Sequence, residues 1–152
     1  MNVRSLPVLA VLLLQGCLKP APALPPKLGL AVLSVKPDGT TQPVAEAPEI
    51  TVGGQITLRA NVQRPGYVYV FARASNTPKL VWGDDPSTPR LEVGEFEMEP
   101  PYAILYRGEH FFTAVMSPER LVDVAKWTDL SDAAIKQKCP QCSIATTGLT
   151  VP

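Results

Sequence analysis

From Gly53 to Arg73 the chain reads as two β-strands folded back on each other through Arg64-Pro65-Gly66. In Gln55–Val62 the apolar residues Ile56, Leu58, Ala60 and Val62 alternate with Gln55, Thr57, Arg59 and Asn61. Strict period two of this kind gives a strand one buried and one wet face. The second strand differs. Tyr67, Tyr69 and Phe71 fall on one face and Val68, Val70 and Ala72 on the other, leaving almost no polar surface. Such a strand belongs in the middle of a sheet, covered on both sides. No other stretch constrains the fold as tightly.

The 17 prolines of the 152 residues point the same way, at about twice average usage. Proline suits loops and strand edges and is excluded from helix interiors. Leu28–Val35 is an apolar first strand, followed by a Pro37-Asp38-Gly39 turn and a loop over 40–49. After the hairpin, Ser75-Asn76-Thr77-Pro78 turns the chain into a short strand, Lys79–Trp82. Further strands are expected at Glu95–Glu99, with Phe96 and Met98 inward, at Tyr102–Tyr106 and at Glu109–Met116. Pro100-Pro101 separates the first two.

Ser117-Pro118-Glu119 carries an N-cap residue, a first-turn proline and an early acid, which predicts a short helix with Leu121, Val122 and Ala125 as its stripe. Ser131–Lys138 is a stronger helix, acidic at its start and basic at its end. Ser143–Val151 closes the chain as an extended segment. With turns every eight to twelve residues, the pattern predicts a mainly β fold: a single immunoglobulin-like β-sandwich, with a small β-barrel as alternative and one or two short C-terminal helices.

The N-terminus speaks about location. Arg4 precedes an apolar run, Leu6–Leu14, whose nine residues would span ~14 Å as helix against ~30 Å of hydrocarbon. This is the layout of a secretory signal and too short to span a membrane. Leu14-Gln15-Gly16-Cys17 then resembles the lipobox of bacterial lipoproteins, departing from it by having Gln15 where a small residue is usual. The resemblance implies diacylglycerol transfer to the Cys17 thiol, cleavage before Cys17 and acylation of the new amino group. Residues 1–16 are then the signal peptide. Leu18 in place of an inner-membrane retention aspartate implies an outer-membrane location, periplasmic or surface-facing. The lipidated Cys17 and the spacer through Lys27 follow, with four prolines between Leu18 and Lys27 favouring extended geometry at ~3.1 Å per residue. Residues 28–152 form the sandwich with its C-terminal tail.

Val52-Gly53-Gly54-Gln55-Ile56, Gly66–Phe71, Leu80-Val81-Trp82, Gly94-Glu95 and Gly108–Ser117 together resemble the domain of unknown function 4384, over residues 50 to 120. Gly54 and Trp82 depart from it, where the family often has aspartate and an aromatic-proline pair. The resemblance implies an envelope-associated bacterial β-domain with no established activity, so no catalytic residues carry over.

Chemistry-bearing residues are sparse. The 14 basic and 14 acidic side chains cancel, leaving no basic stripe for nucleic acid. Cys139-Pro140-Gln141-Cys142 admits a structural disulfide in an oxidising compartment, a redox pair, half of a metal site, or a bond to another protein. The structural disulfide is preferred. The pair follows a helix and so lacks the N-terminal field that activates redox thiols, and zinc wants four ligands where His110 is the only histidine. His110 itself reads as an exposed or satisfied strand residue. Asp84-Asp85 reads as a turn and not a calcium site, and Glu95, Glu97 and Glu99 as a solvated face. Tyr67, Tyr69, Phe71, Tyr102 and Tyr106 suit core better than a binding platform. No nucleophile elbow or phosphate loop is present, so the expectation is a non-enzymatic module without cofactor or metal, contacting the membrane through its anchor and envelope proteins through its body. A periplasmic thiol-active protein and a lipoprotein component of a secretion machine are the alternatives.

Overall fold

The computed structural model of the protein describes residues 28–47, 49–73 and 76–152. Cys17, the signal segment and the proline-rich spacer lie outside the described residues.

Two antiparallel sheets face each other. The first runs β2 (Thr41–Pro43), β1 (Leu28–Val35), β3 (Gln55–Val62) and β6 (Gly94–Glu97), with β7 (Tyr102–Ala103) also pairing with β3. The second runs β5 (Lys79–Trp82), β4 (Tyr67–Arg73), β8 (Gly108–Ser117) and β9 (Ser143–Val151). With β6 and β7 taken as one interrupted strand, these are the A-B-E and C′-C-F-G sheets of an immunoglobulin-like sandwich. One of the sheets curls as a half-barrel, but β5 and β6 remain terminal strands, so the closed-barrel alternative is not adopted.

The alternation of β3 is the reason for the core. Ile56, Leu58, Ala60 and Val62 pack against Val68, Val70 and Ala72 of β4 and Phe112, Ala114 and Met116 of β8. Polar Arg59 stays on the outer face, where its guanidinium meets Glu97 at 2.6 Å and Glu97 also accepts from the Thr41 hydroxyl at 3.0 Å. Thr57, buried in spite of its polar register, donates its hydroxyl to the Met98 carbonyl at 2.7 Å. Burial without that bond would cost about 1–3 kcal/mol.

β4 is covered on both faces, as its sequence requires. Its second face, Tyr69 and Phe71, joins Val115, Val124, Trp127, Ile135 and both cysteines in a separate apolar cluster beneath the C-terminal segment. Phe71 is 1% exposed and lies parallel to Trp127, ring centroids 6.2 Å apart. The segment is held by helix α1 (Asp132–Lys138), whose N-cap Ser131 accepts from the Ala134 amide.

Four expectations are corrected. The strands on either side of Arg64-Pro65-Gly66 are not a hairpin: β3 and β4 pair with other strands in opposite sheets, so this connection carries the chain across the sandwich. The helix expected from Ser117 does not form. Ser117 remains in β8, paired with Tyr67, and its hydroxyl accepts from the Glu119 amide in a local turn. Leu121 donates its amide to the Tyr69 hydroxyl, Val122 is 82% exposed, and Asp123 is left-handed at φ 57°. Only a 3-10 turn at Val124–Lys126 is helical there. The 40–49 loop contains the short edge strand β2 and a 3-10 turn at Val44–Glu46. The strands expected at Glu95–Glu99 and Tyr102–Tyr106 are shorter: the first ends at Glu97, ahead of Pro100 and Pro101, which cannot donate to the β3 ladder, and the second ends at Ala103.

Candidate functional site

Cys139 and Cys142 form a disulfide, Cα atoms 5.3 Å apart, directly after α1. Both residues are 1% exposed in the cluster around Phe71 and Trp127. The Cys139 sulfur lies 3.9 Å from the Ser117 hydroxyl, and the Lys136 ammonium donates to the Cys142 carbonyl. A client thiolate therefore meets no accessible sulfur. The pair sits at the C-terminal end of the helix, where the backbone partial charge is negative and disfavours a thiolate.

His110 is not exposed. It lies in the inner row of β8 with Phe112, stacked on Tyr106 at 4.7 Å and edge-on to Tyr102 at 6.4 Å. Its Nε2 is 3.0 Å from the Tyr106 carbonyl, and Nδ1 has no protein partner among the described residues. Tyr102 is half-buried in the same cluster, and burial pushes its hydroxyl up to about 12, with Tyr106 adding to the shift. The five aromatics thus do not form one platform. Tyr69 and Phe71 belong to the outer cluster with Tyr67 against it, whereas Tyr102 packs on the inter-sheet core. Tyr106 is 41% exposed at the far end.

Asp85 caps its own loop, accepting from the Ser87 amide at 2.7 Å, and hydrogen bonding from the Ser87 side chain first and its amide second lowers its carboxyl below the usual range. Glu97 is likewise lowered, chiefly by its hydrogen bond to Arg59. Among the described residues no three His, Cys, Asp or Glu side chains gather closely enough to hold a metal ion.

The feature that sequence reasoning missed is the open side of the sandwich. There the terminal strand β5 faces the segment Met98–Ala103, which ends in β7, across a hollow of about 320 Å3, lined by Leu58, Val81, Trp82, Met98, Pro101 and Tyr102 among others. A second hollow of about 430 Å3 continues it past Trp82 to Asp84, Thr88 and Glu99. The two share Leu80–Trp82 and Pro100. The signal was present in the sequence as a short apolar strand bounded by Pro78 and Gly83, but which strands end each sheet is a matter of topology.

The chain matches no protein-family model, no curated protein and no solved structure.

Proposed function

We propose that the protein is a lipoprotein, anchored to the outer membrane through Cys17, that presents a non-enzymatic β-sandwich for contacts with other envelope proteins. The observation that carries the reading is Leu14-Gln15-Gly16-Cys17 directly after an apolar run too short to span a bilayer. Several acyl chains at about 0.8 kcal/mol per buried methylene would hold such a protein firmly. In this reading residues 1–16 are removed, and loss of Arg4 leaves 13 basic against 14 acidic residues, a net charge of −1. Residues 18–27 are, in this reading, the spacer between the anchor and the strand that begins at Leu28.

The resemblance of residues 50 to 120 to the domain of unknown function 4384 supports an envelope-associated contact domain. Burial of Cys139 and Cys142 favours a structural disulfide over the thiol-active alternative. The role in a secretion machine has no observation of its own. Metabolic labelling with a fatty-acid probe tests the anchor: wild type becomes labelled and Cys17→Ser does not, whereas equal labelling of both overturns the reading.

A further inference from the structure

The open side of the sandwich brings together two strand edges that pair on one side only. Among the described residues β5 pairs with β4 alone and β7 with β3 alone. Between them lies an apolar floor, with Leu58 and Met98 beneath and Val81, Trp82 and Tyr102 on the walls. The main-chain groups of an edge strand invite a further strand, and pockets beside it select the added side chains.

This edge is not indiscriminate. It is four residues long, starts at Lys79 after Pro78, and its pairing with β4 is irregular between Val70 and Phe71. Those features blunt casual pairing, so an occupant must gain from the floor and from charge. The charges are arranged by end. Lys79 stands where β5 begins, while exposed Asp84, Asp85 and Glu99 stand beyond its end at Trp82, with the Arg120 guanidinium held at the Thr88 carbonyl beside Asp85 and neither Asp84 nor Glu99 in an ion pair among the described residues.

We infer that this groove binds an extended peptide segment of another envelope protein, added antiparallel to β5, apolar at alternate positions and basic at its N-terminal end. Antiparallel addition follows from the rest of the sheet, in which every ladder is antiparallel. It lays the peptide's N-terminal end beside Asp84 and Glu99 and its C-terminal end beside Lys79. The inference rests on the contact-module reading but not on the lipid anchor. Cys17 can fail to label while the peptide binds, and the reverse.

The test uses the full chain carrying Cys17→Ser and the capped peptide Lys-Val-Thr-Val-Thr-Val-Glu. Binding is followed by titration and by hydrogen exchange of the β5 amides. The expected result is saturable binding, with new protection confined to Lys79–Trp82. Methylating the alternate peptide nitrogens that face β5 should abolish it, because the β5 carbonyls then lose the peptide's N–H donors. The charge-reversed peptide Glu-Val-Thr-Val-Thr-Val-Lys should bind more weakly. Asp84→Lys combined with Glu99→Lys, both at exposed positions, should leave the fold intact and weaken the first peptide about fivefold at low salt. No saturable binding, undiminished binding of the methylated peptide, equal binding of the reversed peptide, or protection at another edge would each overturn the inference. So would protection, before peptide is added, of the β5 amides that point away from β4, which would show the edge filled by the chain itself or by a second copy.

Discussion

Replacing Phe71 with alanine separates a core aromatic from a binding one. Phe71 is 1% exposed, lies parallel to Trp127 and occupies the centre of the cluster between β4 and the C-terminal segment. Truncating a buried phenylalanine costs about 3–5 kcal/mol, transfer and residual cavity together. That is a large share of the roughly 5–15 kcal/mol that keeps a domain folded. With an m-value of roughly 1.5 kcal/mol per molar urea, the midpoint should fall by about 2–3 M. Urea titrations followed by circular dichroism and by tryptophan fluorescence read the loss directly. Phe111, one strand over, is the internal control. It is 37% exposed with the Arg73 guanidinium 5.4 Å from its ring centroid, so Phe111→Ala should cost less than about 1 kcal/mol. If Phe71→Ala also costs less than about 1 kcal/mol, the second apolar cluster does not hold the C-terminal segment, and the platform reading of these aromatics returns.

Other expectations are as specific. Cys139→Ala with Cys142→Ala opens a loop of only three-residue separation, so the chain-entropy loss is about 2 kcal/mol, and far-UV circular dichroism should be unchanged; collapse of the β signal would contradict a role confined to the turn. Tyr102 keeps its proton to about 12 when folded against 10.0 ordinarily, so stability present below pH 10 should be lost as pH rises towards 12. Tyr102→Phe should remove that part of the alkaline loss in a pH series of melts. Gly83 sits at φ +101°, and a Cβ there would come 2.5 Å from the Val68 carbonyl oxygen, so Gly83→Ala should lower stability by about 2–3 kcal/mol in thermal or urea unfolding. Arg59→Ala breaks a half-exposed ion pair with Glu97 and should cost under about 1 kcal/mol, with the difference shrinking in high salt.

The two strands β3 and β4 were legible because each carried its own signal, but how they pair was not: they lie in opposite sheets and form no hairpin. Period-two alternation in β3 set its buried face, and the lack of polar residues in β4 announced a strand covered twice. The helix after Ser131 was legible from its cap and end charges. The failure at Ser117 has a definite cause: the cap signature is local, but the ladder partner Tyr67 lies fifty residues earlier and retains Ser117 in the strand. His110 left two readings open, exposed or satisfied, and the structure takes the second for Nε2, 3.0 Å from the Tyr106 carbonyl. Its neighbours Glu109 and Phe111 are exposed, yet its own register points inward with Phe112. The groove depends on which strands terminate the two sheets, and no local residue pattern states that.

The most direct test of the anchored-module account is the mass of the mature protein extracted from bacterial envelopes. The account predicts a chain beginning at Cys17 and heavier by a diacylglycerol on its thiol and an acyl group on its amine. A mature chain that begins elsewhere, or an unmodified Cys17, would contradict it.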